Sequence, residues 1–171
     1  PVLTSNAAVT SDYNGQDISC HNETDGEATS GNNGGTPGYT YSWTNSLGQV
    51  VGTNQTLTNI GSGTYDVTIT DVNGCQNTDQ VIVTVNSIPV IFAGNDVGPI
   101  CAGTSITLTG SGAGAGGSYV WTGGVVNGVS FIPPLGSNTY TVTGTSAANC
   151  TATDQVIVTV NPNPGLPIPS P

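Results

Sequence analysis

Apolar and polar residues alternate with a period of two along much of the chain. The segments YTYSWT (39–44) and YDVTIT (65–70) place an aromatic or aliphatic residue at every second position. Successive side chains of a β-strand point to opposite faces of the sheet, so this pattern predicts half-buried strands. Clusters rich in glycine and asparagine, such as NNGGTPG and DVNG, separate the strands and predict turns. The pattern therefore predicts an all-β chain.

The pattern occurs twice. The octapeptide DQVIVTVN stands at 79–86 and again at 154–161, an offset of 75 residues. Tyr65 and Tyr140 share this offset, whereas landmarks further upstream lie somewhat further apart because the loops there differ in length. An identical octapeptide in register with other landmarks indicates an internal repeat.

Short strands at this spacing, separated by turns, are typical of a β-sandwich. The repeat therefore predicts two tandem immunoglobulin-like β-sandwich modules, 1–87 and 88–162, joined by a short linker. The prolines of 163–171 predict an extended tail or a further linker. Each module has only about 80 residues, a size at which an apolar core alone is marginally stable.

Four cysteines could form disulfides that compensate for the small apolar cores. Each module contains one cysteine early in its sequence and one shortly before its last strand. Four cysteines allow three connectivities, and four free thiols are the alternative. Because the repeat gives each module its own pair, we predict the disulfides Cys20–Cys75 and Cys101–Cys150, each contributing roughly 4 kcal/mol in the chain-entropy model. Disulfides indicate an oxidising compartment.

Charge narrows the range of partners. The chain has ten acidic residues, no lysine and no arginine, for a net charge of −10. Nothing in it can neutralise a phosphate backbone, which excludes nucleic acid as a partner, and anionic membrane surfaces are excluded for the same reason. No stretch approaches the roughly 20 apolar residues that span a bilayer. We expect an extracellular or cell-surface location, where the lack of sites for proteases specific for lysine and arginine is useful.

Eight of the ten acidic residues lie in the first module. The stretches HNETDGE and DVNG offer carboxylate and carbonyl oxygens, the ligands that calcium prefers. If Cys20 and Cys75 are bonded, Asp25 and Asp71 could come together as a calcium site. The alternative is that the acids keep the surface soluble and that DVNG is an ordinary hairpin turn. No other cofactor is expected.

The chain offers no catalytic constellation, and we expect no enzymatic activity. His21 is the only histidine, and the neighbouring Cys20 is predicted to be bonded rather than nucleophilic. A G-x-S-x-G motif is absent. Without lysine or arginine, no cationic side chain other than histidine could stabilise a developing anion.

Four aromatic residues stand out: Trp43 and Trp121 in central strands, and Tyr65 and Tyr140 at strand beginnings. A tryptophan can form a stacking platform for sugars. In immunoglobulin-like sandwiches, however, a buried tryptophan packs on the inter-sheet disulfide and a tyrosine fixes a corner between strands. We therefore predict that all four are core residues.

The first module resembles a known family over roughly residues 15–86. The segments that carry the match are the early cysteine followed by DG, then GGTPGYTYSW, GSGTYDVTITD and NGC. They are similar to the SprB-type repeat of surface adhesins of Bacteroidota. The second module, with AGNDVGPICAG and NTYTVTGTSAANC, looks like PKD-like or immunoglobulin-like modules of the same exported proteins. The resemblance implies export from a bacterium and a role in a stalk, adhesin or filament.

The leading hypothesis is a structural or adhesive segment of a secreted cell-surface protein, in a stalk or extracellular filament. Its partners would be neighbouring copies or modules of the same protein, with surface glycans as further candidates. The alternative is a ligand-recognition module for glycans or calcium. Lysine often protects sheet edges from pairing with another chain. Here glycans, short edges or bulges protect them, or edge pairing is used. In the second case the segment 1–10 could be donated as a strand to a neighbour, or the segment 163–171 could dock on it as a tail.

Overall fold

The computed structural model describes residues 1–164, which form thirteen β-strands and one short 3₁₀ helix. The predicted tail, 163–171, lies outside the described residues except for Asn163 and Pro164. Two compact units are present. The first is Pro1–Ser87 together with Ala148–Cys150, and the second is Ile88–Ala147 together with the chain from Thr151 onward. Each unit is an immunoglobulin-like β-sandwich, which confirms the predicted fold class.

The first unit contains two antiparallel sheets. The three-stranded sheet has the order β1–β2–β5, and the four-stranded sheet has the order β4–β3–β6–β7. The strands are β1 Thr4–Val9, β2 Gly26–Asn33, β3 Thr40–Asn45, β4 Val50–Gly52, β5 Thr56–Ile60, β6 Gly63–Thr70 and β7 Gln76–Val83.

The core of this unit follows the period-two pattern. Trp43, Val67 and Ile69 are fully buried, and Val81 and Val83 are almost fully buried. Side chains of both sheets meet in this single cluster, to which Ala28 of β2 and Leu57 of β5 also contribute. Burial of such aliphatic side chains contributes roughly 1.5–3 kcal/mol each.

The second unit has a four-stranded sheet of order β10–β12–β13–β8 and a two-stranded sheet of β11 and β9. Only β8 and β13 run parallel. The elements are β8 Val97–Cys101, β9 Ile106–Thr107, β10 Ser118–Trp121, the 3₁₀ helix Thr122–Gly124, β11 Ser130–Phe131, β12 Gly136–Thr145 and β13 Thr151–Asn161.

The second octapeptide again supplies the core. Val156, Val158 and Val160 of β13 face inward, together with Trp121 and Tyr140. The isoleucines between the inward valines, Ile82 and Ile157, are 65% and 41% exposed. The repeated octapeptide is therefore the same half-buried last strand in both units.

In both units the first segment of the chain runs parallel to the last strand. In the first unit Ser5 and Ala7 lie beside Asn77 and Asp79, and Ile18 forms a parallel bridge with Val85. In the second unit Val97 pairs with Val158, and Cys101 is opposite Asn161. This shared topology fixes where the cysteines of each module lie.

Candidate functional site

The disulfide of the structure joins Cys20 to Cys150, with a Cα–Cα distance of 5.6 Å. Cys75 and Cys101 are free and exposed. The predicted pairings Cys20–Cys75 and Cys101–Cys150 therefore differ from the pairing that the structure has, and they are wrong. A bond across 130 residues replaces the two shorter loops.

The reason is that the two cysteines of one module lie at opposite ends of its last strand. Cys101 is opposite Asn161, the final residue of β13, whereas Cys150 immediately precedes Thr151, the first residue. The eleven residues of β13 span about 35 Å at the rise of a strand. A disulfide requires Cα atoms within about 7 Å, so the bond cannot form within the module.

The same separation applies to the first module. Cys75 immediately precedes β7, which begins at Gln76. Cys20 follows Ile18, whose parallel partner Val85 lies just beyond the end of β7. The last strand and its extension again separate the two cysteines by about 30 Å. Each module therefore has an early cysteine at one end and a late cysteine at the other.

Two equivalent aspartates attach the first segment of each unit to the last strand. The Asp79 carboxylate accepts a hydrogen bond from the Ala7 N–H at 2.7 Å. The Asp154 carboxylate accepts one from the Ala93 N–H at 2.8 Å. Asp154 has a lowered pKa because the backbone N–H groups of Ala93 and Gln155 stabilise its charged form. Both aspartates open the repeated octapeptide.

A second pair of aspartates, one in the first segment of each unit, accepts hydrogen bonds from the backbone of the last strand. Asp17 accepts hydrogen bonds from the Thr84 N–H at 2.7 Å and from the Thr84 hydroxyl at 2.6 Å. Asp96 accepts one from the Ile157 N–H at 2.8 Å. Carboxylate acceptors for backbone donors protect these strand edges in a chain that has no lysine to do so.

The sequence predicts roles in solubility or calcium binding for the acidic residues, and it does not predict that these four aspartates bind backbone N–H groups. A signal was present: Asp79 and Asp154 occupy the same position of an octapeptide that is identical in both copies. The second module has only two acids, Asp96 and Asp154, and the structure uses both to hold its parallel segments together.

The predicted calcium pair, Asp25 and Asp71, is not brought together. Asp25 precedes β2, whose first residue is Gly26, whereas Asp71 binds the Thr36 N–H beyond the end of β2. The eight residues of β2 separate the two by about 25 Å. Among residues 1–164, no group of three or more histidine, cysteine, aspartate or glutamate residues is arranged to hold a metal.

Each of these two aspartates has a structural role. Asp71 is buried and accepts backbone hydrogen bonds from Thr36, Asn73 and Cys75 at 2.9–3.0 Å. These bonds lower its pKa. Burial raises the pKa of Asp25, but hydrogen bonds from Ser19 and Tyr13 outweigh it, so the pKa is lowered overall.

The four aromatic residues are structural. Trp43 is fully buried, and Trp121 is nearly so; their indole N–H groups donate to the Asn54 carbonyl and to the side-chain carbonyl of Asn127, respectively, both at 3.0 Å. Neither ring is available as a sugar platform.

The two tyrosines differ in their contacts. The Tyr65 hydroxyl donates to the carbonyl of Gly61, four residues upstream, at 3.0 Å, as a corner tyrosine does. Tyr140 is buried and packs edge-on against Phe131, with ring centroids 5.3 Å apart.

The only histidine is not part of a nucleophilic pair. His21 is exposed, and the sulfur of the adjacent Cys20 is bonded to Cys150. A disulfide sulfur is not a thiolate, so Cys20 has no nucleophilic role in the oxidised chain.

No helix within residues 1–164 has the length and apolar character needed to cross a bilayer.

No protein-family model matches the chain, and no curated protein matches it. Solved structures that are similar include a bacterial ice-binding adhesin that is retained on its host cell surface, with 17% identity over 93% of this chain and 65% of that chain, at a TM-score of 0.46.

Fibronectin(III)-like modules of Clostridium thermocellum CbhA match with 13% identity over 92% of this chain and 95% of that chain, at a TM-score of 0.39. The two immunoglobulin domains of DIP-gamma match with 12% identity over 94% of this chain and 98% of that chain, at a TM-score of 0.42. These values do not define a family.

Proposed function

We propose that the chain is a non-enzymatic structural segment of a secreted bacterial surface protein, in which two β-sandwiches transmit tension along a stalk or an extracellular filament. Its partners are neighbouring copies or modules of the same protein, and surface glycans are candidate ligands of the assembled structure. The observation that carries this proposal is the parallel alignment of the first segment with the last strand in both units. In the second unit it is a strand pairing, and in the first unit it consists of side-chain hydrogen bonds and one parallel bridge.

Parallel pairing determines how a unit responds to tension. When the two ends of a unit are pulled apart, its first segment and last strand slide along each other in opposite directions. The hydrogen bonds between them are then loaded together, rather than broken one after another as in a peeled hairpin. In the second unit this interface contains the β8–β13 pairing and the bonds of Asp96 and Asp154.

The disulfide adds a covalent route for the force. With Cys20 bonded to Cys150, tension applied to the chain ends passes through 1–20, the disulfide and 150–171. β7 and β8 lie between the two cysteines and bear load through their contacts with the outer segments 1–20 and β13, which must slide along them before they can lengthen. A disulfide also agrees with an oxidising compartment outside the cell.

Single-molecule pulling from the two chain ends tests this proposal. The fully unfolded reduced chain should reach a contour length of about 60 nm, since each residue contributes up to about 3.6 Å. The oxidised chain should reach a contour length of only about 15 nm between its ends, because only the two outer segments can lengthen. The reduced chain should resist end-to-end force more strongly than it resists peeling.

The matched control pulls the same reduced chain through handles at Ser62 and Thr84. These positions flank Gly63 and Val83, the paired open ends of the β6–β7 hairpin, so the pull breaks the ladder one bond at a time. We expect an unfolding force several-fold lower than in end-to-end pulling. Equal forces in the two geometries would overturn the load-bearing proposal.

A further inference from the structure

Two cysteines remain free in the structure, and they are of different kinds. Cys75 is the late cysteine of the first repeat, directly before β7, and Cys101 is the early cysteine of the second repeat, at the end of β8. Both are exposed, so each sulfur is accessible to a reactant from outside the chain.

Their counterparts in the repeat are bonded to each other. Cys150 lies 75 residues after Cys75, in register with the octapeptide, and Cys20 is the early cysteine that corresponds to Cys101. The bond Cys20–Cys150 thus joins the early cysteine of one repeat to the late cysteine of the following repeat. If every repeat in a series bonds its early cysteine to the late cysteine of the next repeat, Cys101 pairs with the late cysteine of the repeat that follows the second module.

The positions of the cysteines within each module suit such a series. The late and early cysteines lie at opposite ends of the last strand, about 30–35 Å apart, so a module can be linked to one neighbour at each end. One chain contains one unused early cysteine and one unused late cysteine. The repeat that follows the second module can therefore be the first module of another copy.

We propose that Cys101 of one copy forms a disulfide with Cys75 of the next copy, giving an open-ended, head-to-tail covalent series. The inference deepens the proposed structural role and rests on it for its biological setting. A head-to-tail contact uses two different surfaces of the subunit, and such contacts generate open assemblies when the rotation does not close a ring.

The reaction requires an oxidant of the disulfide class, such as oxidised glutathione. The Cys101 thiolate attacks one glutathione sulfur, forming a mixed disulfide and releasing one glutathione thiolate. The Cys75 thiolate of the second copy then attacks the Cys101 sulfur and releases the second glutathione. Overall, two protein thiols are oxidised to one disulfide, and one glutathione disulfide is reduced to two thiols.

The test uses the full chain, oxidised glutathione and non-reducing electrophoresis. The wild type should form a ladder of multimers that collapses on reduction. Cys75→Ser and Cys101→Ser, each alone, should stay monomeric, because each lacks one kind of partner. Their equimolar mixture should give a dimer, and no larger species, at a yield at least tenfold above either variant alone. Cys75→Ala and Cys101→Ala replace any serine variant whose circular dichroism shows that it has not folded.

Peptide mapping identifies the bond. A protease that cleaves before aspartate releases Cys75 in the peptide 71–78 and Cys101 in the peptide 96–153, which further cleavage at aromatic residues separates from Cys150. We expect 71–78 to be linked to the Cys101 fragment in the multimer bands. A Cys75–Cys101 bond in the monomer band, or equal dimer yields from each variant alone, would overturn the proposal.

The proposal and the proposed function can fail separately. A chain that forms no Cys75–Cys101 bond but still shows the force difference between end-to-end pulling and peeling retains its load-bearing role, and only the covalent series is refuted. A chain that forms the ladder of multimers but shows no force difference retains the covalent series, and only the load-bearing role is refuted.

Discussion

Removing the disulfide between Cys20 and Cys150 should destabilise the folded chain strongly, whereas removing the other two cysteines should not. The bond closes a separation of 130 residues. In the chain-entropy model a loop of this size restricts the unfolded state by about 17 cal/mol/K, or about 5 kcal/mol at 25 °C. For a chain of this length, 1 kcal/mol corresponds to roughly 2–4 °C in Tm. The double variant Cys20→Ser/Cys150→Ser should therefore melt about 10–20 °C below the wild type.

The assay is thermal unfolding of the oxidised monomer, followed by circular dichroism and by the fluorescence of the two buried tryptophans. The matched control is Cys75→Ser/Cys101→Ser, which removes the same number of sulfurs from exposed, unbonded positions and should leave Tm within about 2 °C of the wild type. Comparable losses in the two double variants would mean that the cysteines pair within each module, and the reasoning about opposite strand ends would be refuted.

Three further outcomes follow from the packing and the carboxylates. Gly110→Ala places a Cβ 2.8 Å from an aromatic ring carbon and 2.9 Å from a valine methyl, and should cost about 1–3 kcal/mol in urea unfolding; the control Gly61→Ala, whose nearest neighbour is 3.7 Å away, should cost under about 1 kcal/mol, and equal losses would contradict the packing. Trp43→Ala empties a fully buried site and should cost about 3–5 kcal/mol; in the wild type, iodide should quench tryptophan fluorescence poorly, and efficient quenching would show that the rings are exposed. The carboxyls of Asp71 and Asp154 have lowered pKa values in the fold because backbone N–H groups bind them. On acidification the unfolded carboxyls protonate first, so their contribution is complete well above about pH 4 and is lost as pH falls through the lowered folded values; the urea midpoint should drop below pH 4, and a slope that Asp71→Asn leaves unchanged would contradict this account.

The strands and the core were predictable because side-chain alternation depends only on local geometry. The inward positions of the octapeptide, Val81 and Val83 in one copy and Val156 and Val158 in the other, are all buried. Trp43 stands at an inward position of the same alternation and is fully buried as well. The prediction that it packs on an inter-sheet disulfide was wrong, because the disulfide found in residues 1–164 joins the early cysteine of one repeat to the late cysteine of the next.

The segment 1–10 was a candidate for a strand donated to a neighbouring copy, and the structure places it differently. In the structure Thr4–Val9 pairs with Gly26–Asn33 of its own unit. Its other edge is bound by the side chains of Asn77 and Asp79. The pattern predicts a strand there, but it contains no information about which edge receives that strand.

Taken alone, the sequence determined the all-β class, the twofold repeat and the inward faces of the strands. It also showed that the chain has no lysine or arginine to bind phosphate. These properties depend on the order and chemistry of neighbouring residues. Only the tertiary structure decided the disulfide pairing and the role of the aspartates. The physical reason is the parallel alignment of first segment and last strand, which places Cys20 and Cys101 at the far end of strands that begin beside Cys75 and Cys150. Distance in space, rather than distance along the chain, decides which sulfurs and which charges can meet.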